Sequence, residues 1–337
     1  MSLIREAYGA RYIDEKTLKG VASGGAASEI SEKFLELGGV VFGVKYADDY
    51  RSTRFFVVKN VEELNRIKNT KYVKAEKIIV DEKGIVKNVY QVVADYLKTG
   101  KRVLFVGLGC EIAGLKSYLI KEKVSEEHLY VCDILCHGPL QTKIYIGYVD
   151  YLEKKYNAKI SMLSMRVKNE GWAKPDLLIE FENGKKICKK FSKSLLYYGF
   201  ANFPNKSCAT CKFKGENHPG DITLGDYWGC KGDERIYSKW GVSLIIPHTT
   251  KGKDILKLIQ GEKFIIDPVD YDYAINCNPM YSECRVYNDN SELFVKNMSD
   301  KGFLFAVLVD AGLKGILKKS VIEMRCFMNK MKKKLLL

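Results

Sequence analysis

The sequence predicts a mixed α/β protein, with a core of parallel strands, additional antiparallel strands and a cysteine-rich loop. Two segments predict the parallel core, because residues 102–106 and 129–135 are apolar strands that are each followed by a turn and a helical pattern. The antiparallel part is predicted by Asn183-Gly184, a strong two-residue hairpin signal between strand-like segments. With 337 residues and 46% hydrophobic content, the chain can bury a substantial core.

The first 100 residues alternate between helical and strand patterns. A helix is expected over residues 27–37, where apolar side chains recur every three or four positions, and Gly38 ends it. Strands are expected at residues 40–45 and 55–59, followed by a second helix over residues 86–97. These elements precede the parallel core in the chain.

The two strand–turn–helix units define an edge of the predicted sheet. Residues 107–110 form the first turn and residues 136–139 the second, and both follow a strand directly. Because successive units of this kind have parallel strands, the two turns lie at the same carboxyl edge. Open α/β sheets bind their ligands at that edge.

The chain changes character after about residue 160. Residues 205–219 form a turn that is rich in Cys, Lys, Gly and Asn. Short strands are expected before and after it, at residues 162–167, 177–181, 186–191, 222–224 and 242–247.

Charge and composition limit the partners of the chain. The net charge of +14 attracts anions, but no nucleic-acid-binding motif accompanies it, so a nucleic acid is not expected as a partner. The first 19 residues lack the apolar centre of a signal peptide, which predicts a cytoplasmic protein. Residues 318–334 are expected to form a basic amphipathic helix. That helix is either a solvated face or a peripheral contact with the inner membrane surface.

Cysteines provide the main chemical signal. Cys208 and Cys211 form a C-x-x-C pair, and a metal centre of this kind needs four ligands. Cys110 and Cys136 are the natural candidates for the other two, because each lies in a glycine-containing turn at the same sheet edge. Zinc on these four residues is an alternative, although zinc ribbons usually have two close pairs and this chain has one.

The remaining cysteines are expected to be small apolar residues rather than ligands. Cys132 is ambiguous, because it lies four residues before Cys136 and is either a core residue or a substitute ligand. The others in this group are Cys188, Cys230, Cys277, Cys284 and Cys326.

Several ordered motifs resemble the coenzyme F420 hydrogenase/dehydrogenase beta-subunit family, from about residue 10 to about residue 290. The family includes subunits that reduce the deazaflavin coenzyme F420, and related formate dehydrogenase subunits. The motifs are Ser23-Gly24-Gly25, residues 107–115, Cys136-His137-Gly138-Pro139, residues 207–211 and residues 221–229.

The resemblance implies FAD and one 4Fe–4S cluster, with Cys110, Cys136, Cys208 and Cys211 as the cluster ligands. This set agrees with the candidates that the spacing indicates. The resemblance also implies residues 1–290 as the oxidoreductase domain and residues 291–337 as a helical basic tail.

The resemblance implies further residues near the flavin. The turn at Ser23, Gly24 and Gly25 opens a helix and suits the flavin pyrophosphate, although a plain helix N-cap is the alternative. The basic side chains are expected to hold phosphates or a flavin carbonyl, and the tryptophan to shield the ring. Alternatively, the basic side chains are solvated charges and the tryptophan is a core aromatic residue. These residues are Lys71, Tyr72, Arg166, Lys168 and Trp172.

The chain departs from the family pattern in two places. Many relatives begin with a ferredoxin-like stretch that holds two more clusters, whereas the first cysteine here is Cys110. Electrons are therefore expected from a separate carrier such as an acidic ferredoxin, which suits the +14 charge. The usual proline before the first family cysteine is Gly109, which is expected to loosen the turn.

The main functional hypothesis is an oxidoreductase that passes electrons between the cluster, FAD and a small oxidised substrate such as coenzyme F420. A redox or accessory role in surface-polysaccharide biosynthesis is one alternative, and a non-catalytic, metal-stabilised scaffold is another. The sequence leaves open whether the chain forms a homo-oligomer.

The sequence also predicts secondary roles for two histidines and one aspartate. His137 is either a proton shuttle or a hydrogen-bonding group at the start of a helix. His218 lies in the cysteine-rich turn and is a replacement ligand if one cysteine fails. Asp226 is expected to close the turn before Trp228.

Overall fold

The computed structural model describes residues 4–312 of the chain. The strands are β1 (Ala7–Tyr12), β2 (Val40–Tyr46), β3 (Thr53–Val58), β4 (Ile78–Val80), β5 (Val86–Asn88), β6 (Val103–Leu108), β7 (Leu129–Ile134), β8 (Ile160–Val167), β9 (Asp176–Phe181), β10 (Lys186–Lys190), β11 (Ile222–Asp226), β12 (Ser243–Pro247) and β13 (Phe264–Val269). The helices are α1 (Glu15–Lys19), α2 (Ala26–Glu36), α3 (Val89–Lys98), α4 (Gly109–Lys121), α5 (Thr142–Tyr156), α6 (Leu195–Asn202), α7 (Thr250–Ile259), α8 (Tyr271–Asn276) and α9 (Ser291–Lys301).

An eight-stranded mixed sheet organises the molecule, in the order β13-β1-β12-β11-β7-β6-β2-β3. Its centre is parallel, because β2, β6, β7 and β11 run in one direction. The strands β12, β1 and β13 on one side, and β3 on the other, are antiparallel to their neighbours. The predicted mixed α/β fold is therefore confirmed.

Helices cover both faces of the parallel strands, and the sequence of β2 shows why. Its consecutive residues Val40, Val41 and Phe42 are all buried, as expected for a strand with no solvent-facing side. On one face the apolar residues of α2 and α7 pack against the sheet. On the other face α3 and α4 do the same.

A second, three-stranded antiparallel sheet, β10-β9-β8, packs with α5 and α6 around a separate apolar core. Phe294 of α9 and Phe303 belong to the same core. Residues 291–312 of the predicted tail therefore pack against the body of the protein, while the boundary at residue 290 stays a prediction.

Local boundaries differ from the predicted ones in two places. Val86 belongs to β5 rather than to the following helix, which begins at Val89. Residues 107–110 do not form a turn, because β6 continues to Leu108 and α4 begins at Gly109. The Glu111 carboxylate accepts a hydrogen bond from the Leu108 N–H at 2.9 Å, which stabilises this direct strand-to-helix transition.

Within residues 4–312, no helix combines the length and the apolar character that a membrane span needs. The basic helix that is expected over residues 318–334 lies outside the described residues.

Candidate functional site

Two cysteines follow neighbouring parallel strands at the carboxyl edge of the main sheet. Leu108 at the end of β6 pairs with Ile134 at the end of β7, and Cys110 and Cys136 each lie two residues further along. Neighbouring strands are about 4.8 Å apart, so the two cysteine-bearing segments emerge side by side. This is the common edge that the parallel pattern predicts.

Two glycines allow the cysteine-rich segment, residues 205–219, to approach this edge. A Cβ atom on Gly109 would lie 2.9 Å from the Cβ of Phe213. Gly138 has a φ of 82°, and a Cβ atom there would lie 3.1 Å from the Cβ of Cys208. The sequence predicts that Gly109 loosens a turn. In the structure Gly109 instead provides space for Phe213 beside Cys110.

Cys110, Cys136, Cys208 and Cys211 line a single cavity. Cys110 is exposed and the other three are half-buried, so the cavity lies close to the protein surface. Its volume is about 70 Å³. On the same measure one water needs about 10–15 Å³, so the cavity has room for a group much larger than a single ion.

Basic side chains surround the same cavity. Lys74, Lys214 and Arg285 line it together with the cysteines. The Lys214 amine donates hydrogen bonds to the carbonyl oxygens of Cys136 at 2.7 Å and Met280 at 2.6 Å. These positive charges would stabilise an anionic group that is held by thiolates.

Burial disfavours the thiolate form of three of the four cysteines, Cys110, Cys136 and Cys208. Burial raises the pKa of Cys136 to about 12. Burial also raises the pKa of Cys110, with a further contribution from the Glu111 carboxylate, and that of Cys208. Such thiols are poor nucleophiles, and a bound metal would supply the positive charge that the thiolates need.

Four thiols around a cavity with room for several atoms are the kind of donor set that holds an iron–sulfur cluster. Tetrahedral zinc holds its sulfur ligands about 3.8 Å apart, given Zn–S distances of about 2.3 Å. Among residues 4–312, no three His, Cys, Asp or Glu side chains lie close enough together to share one ion. A polynuclear cluster carries its ligands on different iron atoms, so its thiolates stand farther apart.

None of the other described cysteines is among the residues that line the cavity. Cys132, which was ambiguous from the sequence, is fully buried in the apolar core between the sheet and α2. Cys230 is also a core residue, and Cys188 accepts a hydrogen bond from Asn169 at 3.4 Å. The Cys284 thiol lies 3.6 Å from the carbonyl oxygen of Cys211, so it adjoins the C-x-x-C loop. Cys277 is half-buried, and Cys326 lies outside the described residues.

Two histidines line the cavity in different ways. Burial and the positive charges of Arg285 and Lys214 lower the pKa of His137 to about 4, so its ring is neutral at neutral pH. Since α5 begins at Thr142, His137 does not lie at a helix start as the alternative supposed. His218 is 3% exposed, and its Nδ1 atom bonds to the Asp133 carboxylate.

A second polar cluster lies one strand away from Cys136. Asp226 ends β11, which pairs in parallel with β7, and its carboxylate accepts a hydrogen bond from Arg166 at 2.7 Å. Arg166 also donates to the carbonyl oxygen of Trp172 at 3.3 Å and is hydrogen-bonded to the Tyr72 hydroxyl. Burial disfavours the charged guanidinium, but Asp226 and Tyr72 together outweigh burial and raise the pKa of Arg166.

The predicted pyrophosphate turn lies beside the same cluster. The Lys168 amine donates to the carbonyl oxygens of Ser23 at 2.6 Å and Leu18 at 2.7 Å. Burial, and then the charge of Arg166, lower the pKa of Lys168 to about 7. The sequence-predicted residues Ser23, Arg166, Lys168, Trp172 and Tyr72 are therefore brought into one neighbourhood.

Packing explains the glycines of that turn without a ligand. A Cβ atom on Gly24 would lie 2.0 Å from the carbonyl oxygen of Ala10, and Gly25 is the N-cap of α2 with a φ of 94°. The amides of Gly24 and Ala26 donate to the Ser243 hydroxyl. The N-cap alternative thus describes the observed contacts, and the pyrophosphate role stays a prediction.

Lys71 and Trp172 are held by other contacts. The Lys71 amine donates to carbonyl oxygens of its own loop, at residues 67–69, and burial lowers its pKa to about 7. Trp172 is buried and stacks on Trp228 with ring centroids 4.4 Å apart. Trp228 is 39% exposed, so it is the solvent-facing member of this pair.

Sequence reasoning missed several of these roles. Asp226 forms a buried ion pair with Arg166 rather than only closing a turn. The parallel strand pattern could have indicated it, since Asp226 follows a strand at the same edge as the cysteines. Arg285 comes from a segment with no recognisable motif, and only folding brings it to the cavity, whereas Lys214 lies in the cysteine-rich segment itself.

Comparisons with known proteins agree with this fold. A family model for the C terminus of the beta subunit of coenzyme F420 hydrogenase/dehydrogenase matches residues 100–270. One chain of the F420-reducing NiFe hydrogenase complex from Methanosarcina barkeri is similar in structure, with a TM-score of 0.53 and 14% sequence identity. The match covers 88% of this chain and 94% of that chain, and at this identity it shows a shared fold. A search of curated proteins found no match.

Proposed function

Because the chain belongs to the coenzyme F420 hydrogenase/dehydrogenase beta-subunit family, we propose that it is an iron–sulfur flavoprotein oxidoreductase. The observation that carries this proposal is the convergence of four cysteines, from three separate segments, on one cavity at the carboxyl edge of the sheet. Its substrate would be a small oxidised molecule, either a deazaflavin such as coenzyme F420 or another acceptor.

Cys110, Cys136, Cys208 and Cys211 would hold a 4Fe–4S cluster. When they are bound, such a cluster and a flavin together supply the conversion between one-electron transfer and two-electron hydride transfer. The chain contributes charge compensation, because Lys214 and the other cavity-lining basic groups face the anionic cluster.

The neighbouring polar cluster would hold FAD. Arg166, which stays charged, and Lys168, whose pKa is lowered to about 7, lie in the cluster one strand away from Cys136 and could bind the anionic or carbonyl groups of the cofactor. The exposed face of the Trp172–Trp228 stack offers an apolar surface for an aromatic ring. The short separation between β7 and β11 would keep the two cofactors close together.

The electron donor would be a separate acidic carrier such as a ferredoxin. The chain has a net charge of +14, and basic side chains surround the cavity in which Cys110 is exposed. Complementary charge would steer an acidic protein to this face.

The proposal is tested by purifying the protein without oxygen and measuring iron, sulfide, zinc and FAD in one sample. We expect about four iron and four sulfide ions, and one FAD, per chain. A colourless protein that contains zinc would instead support the metal-stabilised scaffold. FAD without iron would show that the cysteine assignment is wrong, while the flavoprotein assignment survives.

A further inference from the structure

His218 lines the cysteine cavity, with one ring nitrogen on a buried carboxylate and the other without a hydrogen-bond partner among the described residues. Its Nδ1 atom bonds to Asp133, whose side chain is fully buried. Its Nε2 atom is buried and has no hydrogen-bond partner among the described residues, although His218 lines the cavity. An imidazole nitrogen that is buried without a partner costs free energy, so a group in the cavity is expected to satisfy it.

The neighbours of Asp133 show how the His218 ring is held in place. Thr223 donates its hydroxyl proton to one oxygen of Asp133 at 2.6 Å, and His218 occupies the other oxygen. His248 contacts the same Thr223 hydroxyl at 2.6 Å, so it does not bond to the carboxylate directly. The Asp133 carboxylate is therefore bonded on both oxygens, and it holds the His218 ring through Nδ1.

We propose that the Nε2–H group of His218 donates a hydrogen bond to a sulfur atom of the anionic iron–sulfur group in the cysteine cavity. The four cysteines already supply a ligand for each iron, so a fifth side chain at the cavity acts on sulfur rather than on iron. The bond from Nδ1 to Asp133 fixes the orientation of the ring and leaves Nε2 available to the cluster. Hydrogen bonds to cluster sulfurs stabilise the reduced state, which carries more negative charge, and so raise the reduction potential.

The contact presupposes the iron–sulfur group of the proposed function, and a matched pair of variants isolates it. In His218→Asn the amide nitrogen takes the place of Nδ1, so the bond to Asp133 is kept and the donor at the cavity is lost. In His218→Gln the amide nitrogen takes the place of Nε2, so the donor is kept and the bond to Asp133 is lost. The control is His128→Asn, just before β7 and therefore at the opposite end of that strand from Cys136.

The readouts are the reduction potential of the cluster, its electron paramagnetic resonance spectrum, the iron content and the thermal midpoint of each variant. We expect His218→Asn to shift the potential to more negative values at unchanged iron content. His218→Gln should lie closer to the wild-type potential but melt earlier, and the control should change neither.

Three results would overturn the inference. One is a potential that moves no more in His218→Asn than in the control. Another is a potential that follows the Asp133 bond, with His218→Gln shifted and His218→Asn normal, as a purely structural role requires. The third is strong nitrogen hyperfine coupling in the wild-type spectrum that is lost in His218→Asn, which would make His218 an iron ligand. Wild-type protein without iron would overturn the proposed function and this contact together.

Discussion

The two regions at the carboxyl edge of the main sheet differ in how their polar side chains are satisfied. Around the cysteine cavity, burial raises the pKa of Cys136, four thiols line one open space, and the His218 Nε2 atom has no partner among the described residues. In the neighbouring cluster, Arg166 is paired with Asp226 and Lys168 with two carbonyl oxygens.

This difference decides how strongly each region points to a bound ligand. In the first region four thiols line one cavity and the His218 Nε2 atom lacks a partner among the described residues, so its geometry points to a bound anionic or metallic group. In the second region Arg166 and Lys168 have partners within the chain, so these two residues have a structural explanation beside any role in binding FAD. Variants that affect one region and leave the other intact are therefore the sharpest tests.

The largest effect is expected from Cys136→Ser. Loss of a ligand should reduce cluster binding by more than the roughly 10–100-fold that is typical of losing an outer-shell partner. Iron and sulfide per chain measure the loss. Cys188→Ser, on β10, is the matched control and should keep its iron. Equal iron in the two variants would contradict the assignment of Cys136.

The next largest effect is expected in the second region, from Arg166→Met. Asp226 would keep a buried and uncompensated charge, because the two side chains are only 14% and 9% exposed. Removing one partner of such a pair costs about 3–5 kcal/mol of unfolding free energy. Denaturant unfolding of the FAD-free protein measures this cost.

The double variant Arg166→Met/Asp226→Leu then separates structure from binding. It should recover most of the stability, since apolar replacements of a buried ion pair are often neutral. If Arg166 contacts FAD, the double variant still binds FAD weakly by fluorescence titration. Full recovery of FAD affinity would leave Arg166 with a structural role alone.

A smaller effect is expected from Gly109→Ala, which tests the contact between the helix start and the cysteine-rich segment. The added Cβ atom would lie 2.9 Å from the Cβ of Phe213, and overpacking of this kind costs roughly 1–3 kcal/mol. The midpoint temperature of thermal unfolding and the iron content should both fall. Gly232→Ala is the control, because no atom lies within 4 Å of the Cβ atom there. An unchanged iron content would show that the segment adapts without affecting the cavity.

The smallest effect concerns pH and Lys168. The pKa of Lys168 is lowered to about 7, chiefly by burial, whereas an unfolded lysine titrates near 10.4. Between these values the unfolded chain binds more protons, so stability rises with pH across the window from about 7 to about 10. One group contributes at most about 1.4 kcal/mol per pH unit.

Lys168→Met should flatten this rise, as measured by urea unfolding at a series of pH values. The exposed Lys193→Met variant should keep the wild-type slope. The same slope in all three proteins would mean that Lys168 is not protonated differently in the folded and unfolded states.

Local patterns were sufficient for the parallel core and for the four-cysteine set. The apolar strands of β6 and β7 are each followed by a helix, and such units are parallel for steric reasons, so Cys110 and Cys136 had to share an edge. The C-x-x-C spacing of Cys208 and Cys211 brings two thiols together in one loop without any tertiary information. Element boundaries were less certain, as Val86 and Gly109 show.

The amino-acid sequence by itself determined the fold class and the cysteines that are candidates for one metal centre, because periodicity and spacing are properties of neighbouring residues. The resemblance of its ordered motifs indicated the family. Only the tertiary structure decided that Cys132 is a core residue, that Arg166 pairs with Asp226 and that Asp133 holds His218 at the cavity. These contacts join residues that are 60 or more positions apart in the chain. Their partners are set by how strands and loops pack in three dimensions, and no local pattern encodes that arrangement.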